Sequence, residues 1–466
     1  MDEPSDGARK WAQEEFGRLD AGDLRRRARV IKMAAVAAGS SDGTVAKTFD
    51  SGADRQAAYD LLEGKYVRAP ALLASMTIAT VERCSRHPFV YVPIDGSSLN
   101  LVDRKRSKDF GAIGSYRSGG RGLKVVSGIA VAPDGTSLGL CAQTWWARPK
   151  VRHKRGGSKY RPTEERESRH WVSTVASVEL AFRDSGTTPI VVIDREGDAT
   201  EILHALHSRG MRFIVRSSWD RRLATSPATK LRPTLEARRV LGRYKLNVPA
   251  GYRRAARTVT MELRAAEVTL NLGHDWRGRR DNIPLFAVSA TEVKPPFGEK
   301  PVQWTLLTNL PVRNADEALE IVRGYTLRWR IEEFHKAWKG GVCNVERTQL
   351  HTANAVMTWA TLLAAVAIRV ERLKQLARTT PDEPATVELT PTEIEALILL
   401  KRRQKKRTEV VPDGTPTIAQ AVLWLAHLGS FAGKDRPGAI TIGRGLDKVR
   451  TAAGLLEQLR ADRKLR

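Results

Sequence analysis

The sequence contains little cysteine: Cys84, Cys141 and Cys343 are the only three in 466 residues. Thiols that are so few and so widely separated fit neither a disulfide framework nor a zinc site. We therefore expect all three to be buried thiols of a protein in the reducing cytoplasm. This expectation excludes the small secreted proteins that depend on disulfides.

Long apolar runs are missing as well. No uninterrupted run reaches the roughly eighteen residues that cross a bilayer, and the first residues do not resemble a secretory signal. We therefore expect no membrane segment. The sequence also lacks a P-loop, a Rossmann glycine fingerprint and an internal repeat, which disfavours the common nucleotide-binding and repeat classes.

Acidic residues are few relative to basic ones. The chain has 78 lysine and arginine residues against 52 aspartate and glutamate residues, which gives a formal net charge of +26 and a pI near 10.3. Such an excess indicates a polyanionic partner, most often nucleic acid, with a membrane surface as the alternative. Hydrophobic residues make up 41% of the chain, enough for several cores, and its length predicts two to four domains.

Residues 1–85 are predicted to form a helical DNA-binding domain. Asp23 precedes a segment with apolar residues at helical spacing, so it is placed to open a helix near the positive end of the helix dipole. Arg25, Arg26 and Arg29 in this segment are either a phosphate-binding edge or an ordinary solvated face. The basic composition of the chain favours contact with nucleic acid.

A different pattern begins after residue 85. Apolar runs rich in β-branched residues predict strands, and one longer segment predicts a helix. In order these elements are strands over 89–94, 124–131 and 137–146, a helix over 171–182, and a strand over 189–193. Pro133, Asp134 and Gly135 supply hairpin turn chemistry between the second and third strands. The order of these elements is that of a ribonuclease-H-like α/β core.

The first and fourth predicted strands stop on an acid, Asp95 and Asp194. Strand ends in an open sheet can lie side by side, so two residues far apart in sequence can share one site. The alternative is that each aspartate merely caps a loop.

Residues 217–312 predict a β-rich insertion, because strand-like runs replace helical periodicity there. The runs are 258–263, 268–272, 285–288 and 304–307. We expect this insertion to interrupt a catalytic domain over residues 86–370. A helical domain over residues 371–466 is expected to follow it.

The stretch from Tyr325 to Lys339 contains no proline or glycine and predicts one continuous helix. On an ideal helix Tyr325, Arg328, Glu332 and Lys339 fall within roughly 60° of one another. This face is either a site, with a carboxylate for a metal ion and cations for phosphate, or a solvated face with helix salt bridges. Glu333 lies about 100° round the helix from Glu332, so we favour Glu332 as the ligand.

Asp95, Asp194 and Glu332 together would make an all-oxygen site. Such a site suits Mg²⁺, with Mn²⁺ as a substitute, rather than zinc. Two ions roughly 3.5–4 Å apart can activate a water molecule or a 3′-hydroxyl and stabilise the leaving oxygen of a phosphodiester.

With these residues the sequence resembles the bacterial DDE transposases of the insertion-sequence-four family. The resemblance rests on a Y-x2-R-x3-E-x6-K signature at Tyr325, Arg328, Glu332 and Lys339, and on further motifs along the chain. These motifs lie at 22–26, 94–99, 145–149, 192–198 and 304–308.

The resemblance implies a cut-and-paste transposase that binds transposon ends in double-stranded DNA, cleaves them with two divalent ions through a hairpin, and joins the 3′-ends to target DNA. It implies that Asp95, Asp194 and Glu332 are the catalytic, metal-binding triad. It also implies a homodimer that forms on DNA through the C-terminal helices, in the cytoplasm of a bacterium near its nucleoid. The implied DNA contacts are Arg25, Arg26, Arg29, Arg216, Trp304, Tyr325, Arg328 and Lys339.

Three residues have two interpretations. Trp304 is a core residue if only its predicted strand is considered, whereas the resemblance makes it the residue that takes up a flipped base. Arg216 is either a DNA contact or part of a surface salt bridge. His335 is expected to be packed or solvated rather than part of the site. The alternative functions are another ribonuclease-H-like nuclease or resolvase, and a DNA-binding regulator without catalysis.

Overall fold

The computed structural model describes residues 4–40, 42–114, 119–149, 162–225, 227, 229–250, 255–273, 280–404, 410–433 and 436–464. The chain is an α/β protein, as predicted. Its α-helices are α1 (Asp6–Phe16), α2 (Leu24–Ala37), α3 (Val45–Thr48), α4 (Gly52–Glu63), α5 (Ala69–Cys84), α6 (Ser168–Phe182), α7 (Thr200–Ser208), α8 (Leu231–Glu236), α9 (Ala315–Thr326), α10 (Trp329–Lys336), α11 (Ala353–Thr379), α12 (Pro391–Gln404), α13 (Ile418–Leu428) and α14 (Ala439–Lys464). Its strands are β1 (Phe89–Asn100), β2 (Gly111–Ala112), β3 (Arg121–Val131), β4 (Ser137–Trp146), β5 (Thr188–Ile193), β6 (Arg212–Arg216), β7 (Gly242–Val248), β8 (Arg257–Gly273), β9 (Arg280–Glu292) and β10 (Gln303–Thr308).

The chain forms two compact units. The first comprises Met1–His87, Gly96–Arg152 and Arg330–Arg466, and the second comprises Pro88–Asp95 and His153–Trp329. Strand β1 therefore begins in the second unit and ends in the first.

The first unit combines helices with a small antiparallel sheet. Asp23 opens α2 as predicted, because its carboxylate accepts a hydrogen bond from the N–H of Arg25 at 2.7 Å. The predicted hairpin is also present. Strand β3 pairs with β4, and the N–H of Thr136 in the connecting turn donates to Asp134 Oδ1 at 2.8 Å. Strand β3 also neighbours β2 and β1.

Helix α11 is the central helix of the first unit. It is long and apolar enough to cross a membrane by length and composition, with a mean hydropathy of 1.5, which the count of uninterrupted apolar runs missed. However, 89% of its apolar window is buried inside the protein, as in a core helix. Trp359 on α11 is buried, and its indole N–H donates to the carbonyl of Gly43 at 2.8 Å.

All three cysteines are buried thiols, which confirms the expectation from their spacing. Burial raises the pKa of Cys84 to about 12 and also raises the pKa values of Cys141 and Cys343. The thiols therefore stay protonated and act as small apolar side chains.

The second unit is built on a mixed sheet with the order β1-β5-β6-β10-β9-β8-β7. Strands β1, β5 and β6 are parallel, and β10 joins the sheet antiparallel to β6. The last four residues of β5 are buried, as expected of the continuous apolar run over 189–193 in a strand that is covered on both faces.

The β-rich segment differs from the prediction in two details. The runs 258–263 and 268–272 are one strand, β8, which pairs with β9 from Met261 to Gly273. Strand β7 and helix α8 were not predicted. Strand β7 is a sheet-edge strand in which Tyr244, Leu246 and Val248 alternate with exposed polar residues. This period-2 alternation is a strand signal that the sequence analysis missed.

The prediction of one helix from Tyr325 to Lys339 is wrong. Helix α9 ends at Thr326, where the N–H groups of Leu327 and Arg328 bond to carbonyls three residues back. Helix α10 then begins at Trp329 and passes into a π-helical turn over Ala337–Gly341. The tight turn interrupts the regular rotation of about 100° per residue. The ideal-helix angles between Tyr325, Arg328, Glu332 and Lys339 therefore do not apply.

Candidate active site

Asp95 and Asp194 occupy neighbouring positions in the second unit. Strands β1 and β5 pair in parallel, and the last paired residues are Ile94 and Ile193. The two aspartates are the next residues after these paired positions on the two strands, as the sequence predicts. The prediction that β1 ends there is wrong, because β1 continues to Asn100 and only its pairing with β5 stops.

Three side chains from β6 and the end of α9 converge on Asp194. The hydroxyl of Tyr325 donates to Asp194 Oδ1 at 2.9 Å. Arg216 Nη1 lies 3.6 Å from Asp194 Oδ1, and Arg328 Nη2 lies 3.7 Å from Asp194 Oδ2. We call these four residues the Asp194 cluster.

The Asp194 cluster keeps its carboxylate ionised. Burial raises the pKa of Asp194, but the opposing interactions outweigh it and the net pKa lies below the usual value. These interactions are the hydrogen bond from the N–H of Arg195, the charge of Arg328, the Tyr325 hydroxyl and the charge of Arg216. A carboxylate that stays ionised at neutral pH is the form that binds a metal ion.

Tyr325 is a protonated donor within this cluster. Burial and the nearby charge of Asp194 raise the pKa of Tyr325 to about 12, and the charges of Arg216 and Arg328 only partly oppose them. Its ring packs against Trp304, with the ring centroids 5.9 Å apart. Trp304 is partly buried on β10 and borders the core of the second unit. In this structure the phenol therefore contacts Asp194 directly.

Tyr325→Phe is expected to lower the free energy of unfolding by about 1.5–3 kcal/mol, because it removes a hydrogen bond to a charged group. Urea unfolding at pH 7 measures the change. Tyr244→Phe is the matched control, since the buried Tyr244 hydroxyl has no hydrogen-bond partner among the described residues. The control should change stability by less than about 0.5 kcal/mol. Equal losses of unfolding free energy in both variants would show that the hydrogen bond from Tyr325 to Asp194 does not stabilise the fold.

Arg216 and Arg328 are not exposed surface cations. Their side chains are 17% and 6% exposed, and both lie beside Asp194. The surface salt bridge considered for Arg216 is thus a partly buried one. The Arg328 guanidinium also lies over the ring of Trp329, 5.4 Å from its centroid.

Glu332 and Lys339 belong to the first unit. Glu332 lies on α10, and Lys339 lies in the π-helical turn with its Nζ 3.6 Å from Glu346 Oε1. Glu333 is bound within this unit by Arg330 at 2.8 Å and by Lys374 at 3.2 Å. Burial raises the pKa of Glu333, but Lys374 and Arg330 lower it by more, so the net pKa lies below the usual value. The structure therefore assigns Glu333 to an ion-pair network.

The predicted DNA-binding arginines of α2 line a cavity of about 310 Å³ in the first unit, together with residues of α4 and the segment after it. Arg26 lies over the ring of Tyr66 at 3.6 Å from its centroid. Tyr66 is 58% exposed. Arg25, Arg26 and Arg29 thus form a concave basic surface with an exposed aromatic ring, which suits nucleic acid better than a plain solvated face.

Comparison with known families identifies the chain. Residues 148–369 match the family described as Transposase DDE domain, and residues 8–67 match the family described as Transposase DNA-binding. The chain is a DDE transposase. The DDE match contains Asp194 and Glu332 and begins after Asp95, whereas the DNA-binding match contains the basic cavity of α2.

The family matches establish the general kind of enzyme. A DDE transposase is an enzyme that binds DNA and uses divalent metal ions, and its catalytic core is ribonuclease-H-like. These conclusions agree with the sequence analysis.

The acids of the transposase supply oxygen donors only. Among the residues that the structure describes, no three His, Cys, Asp or Glu side chains are already arranged to hold a metal ion. The adjacent positions of Asp95 and Asp194 and the lowered pKa of Asp194 fit a hard divalent cation. His335 is buried and packs beside Phe334, with ring centroids 5.2 Å apart, as the packed interpretation predicts.

Asp198 is a structural residue that the sequence analysis missed. Its buried carboxylate binds the guanidinium of Arg221 through Oδ1 and accepts the N–H groups of Ser218 and Trp219 through Oδ2. It therefore fixes the segment after β6. The sequence shows a second aspartate four residues after Asp194. Its structural role could not be predicted from local pattern, because its partners lie about twenty residues further along the chain.

Proposed function

We propose that this transposase is a cut-and-paste enzyme of the insertion-sequence-four family, similar to the transposon-five transposase. It would cleave the ends of its element through a DNA hairpin and join the 3′-ends to target DNA. The observation that carries the proposal is the Asp194 cluster. Tyr325 and Arg328, the first two residues of the signature, both lie at the carboxylate of Asp194.

Asp95, Asp194 and Glu332 are the proposed ligands of two Mg²⁺ ions, which Mn²⁺ can replace. When bound, such ions activate a water molecule or a 3′-hydroxyl and stabilise the leaving oxygen. Arg216 and Arg328 keep Asp194 ionised, and Tyr325 orients its carboxylate. With Lys339, these residues are also the proposed contacts to the phosphates of the reacting strand.

The proposed assembly is a homodimer on DNA in the cytoplasm of a bacterium, near its nucleoid. Arg25, Arg26 and Arg29 would bind the end sequence, and the C-terminal helices would join the two copies. Each active site would then cut the end that the other subunit holds. This arrangement couples cleavage to the pairing of two ends.

Trp304→Ala tests the hairpin step. Trp304 packs beside Tyr325, so a base that stacks on it would lie next to the Asp194 cluster. Loss of one stacked base costs roughly 1–3 kcal/mol, so hairpin formation should slow by about 5- to 150-fold while first-strand nicking changes less. Denaturing gels on an end duplex selected from random DNA separate the two products. Equal losses in both steps would make Trp304 a purely structural residue, and nicks without hairpin or joined products would indicate a related nuclease instead.

A further inference from the structure

We propose that Trp219 is a second stacking platform, for a base of the DNA strand that binds at Asp194. The inference rests on the proposed function and adds a residue to its DNA-binding site. Trp219 follows β6 and is 66% exposed. Strand β6 is the parallel neighbour of β5, with Val215 opposite Ile193. The chain after β6 therefore leaves the sheet at the edge where Asp194 lies.

Exposure by itself is common, because single apolar side chains are found on most protein surfaces. The segment that carries Trp219 is distinguished by how firmly its backbone is bound. The N–H groups of Ser218 and Trp219 donate to Asp198 Oδ2 at 2.6 and 3.2 Å. The hydroxyl of Ser217 donates to the same oxygen at 3.1 Å.

A further hydrogen bond connects this segment to the active site. The hydroxyl of Ser218 donates at 3.0 Å to the carbonyl of Arg195, the residue directly after Asp194. The indole of Trp219 is thus attached to a backbone that is bound on both sides, to Asp198 and to Arg195. A binding residue is expected to have a fixed backbone, because the conformational entropy of ordering it is then lost on folding and not on ligand binding.

The charges around Trp219 indicate the kind of partner. Arg195, Arg222 and Arg232 are exposed in the segments that meet here, and they outnumber the one exposed acid next to Arg195, Glu196. The one acid beside Trp219 in sequence, Asp220, accepts the N–H of Arg232 at 2.8 Å. An exposed indole among cations matches unpaired nucleic acid, in which bases stack on aromatic rings and phosphates bind cations. A protein partner would favour a larger apolar surface with fewer charges.

The experiment uses the full chain and an end duplex selected from random DNA. 2-Aminopurine replaces one base at a time around the cleavage position, and Ca²⁺ replaces Mg²⁺ so that binding occurs without cleavage. Wild-type protein should quench the fluorescence at one position in addition to any position whose quench depends on Trp304. Trp219→Ala should abolish that quench and weaken binding by about 5- to 150-fold, the loss of one base stack. Trp219→Phe should retain most of both.

Phe297→Ala is the matched control, because Phe297 is an exposed aromatic residue of the same unit. It should leave the quench and the affinity unchanged. An unchanged quench and affinity in Trp219→Ala would overturn the proposal, as would a loss of dimer formation with an unchanged quench. Nicking of the same duplex by wild-type protein in Mg²⁺ is scored separately. Its absence would refute the proposed function, whereas the quench alone decides the role of Trp219.

Discussion

Glu332→Gln is expected to reduce cleavage of transposon-end DNA on the order of 10³-fold or more, because the variant keeps the shape of the side chain but removes the charge of a proposed metal ligand. Glutamine keeps the length and shape of the side chain but exchanges one carboxylate oxygen for an NH2 donor, so the loss reports the negative charge together with one oxygen. The measurement is the single-turnover rate of first-strand nicking in Mg²⁺.

Glu333→Gln is the matched control for this prediction. Glu333 is the adjacent acid and forms ion pairs with Arg330 and Lys374 inside the first unit. Its replacement should cost stability but change the nicking rate by less than about tenfold, because it removes a structural charge rather than a ligand. Equal rate losses in the two variants, or a larger loss for Glu333→Gln, would contradict the assignment of Glu332.

Asp198→Ala is expected to lower the free energy of unfolding by about 3–5 kcal/mol, the cost of breaking a buried ion pair from one side. The carboxylate is fully buried, and the side chain of Arg221 beside it is only 11% exposed. The variant leaves the Arg221 guanidinium without its carboxylate and removes the acceptor of two backbone N–H groups. Urea unfolding measures the loss.

Two further variants test the cause of this loss. Asp220→Ala removes a partly exposed carboxylate that accepts the N–H of Arg232, and it should cost less than about 1 kcal/mol. Adding Arg221→Met to Asp198→Ala should recover part of the lost stability, because no buried charge then remains uncompensated. A loss of under 1 kcal/mol for Asp198→Ala would show that the segment after β6 is held by other contacts.

The positions of the two aspartates could be predicted because their causes are local. The apolar runs before Asp95 and Asp194 specify covered strands, and parallel pairing then places the next residues side by side. The early helices and the β3–β4 hairpin follow from caps and turn residues in the same way.

The remaining features depend on contacts that periodicity does not contain. The break after Thr326 occurs where Gly324 packs closely on Tyr91, since a Cβ at residue 324 would lie 2.5 Å from the ring of Tyr91. Asp198 acquires its role only when the segment after β6 folds back onto it. The single helix drawn through the signature is therefore wrong, whereas the wider assignment to the DDE transposases is confirmed by the family match.

The central claim is that Asp95, Asp194 and Glu332 hold the same metal ions. Fe²⁺ with ascorbate and peroxide tests it directly, because iron bound at a magnesium site generates radicals that cut the nearby polypeptide. In the DNA complex the account predicts backbone cuts close to residues 95, 194 and 332, all of them suppressed by excess Mg²⁺ and lost in Glu332→Gln. Cuts near residues 95 and 194 that persist in Glu332→Gln, with none near residue 332, would contradict it.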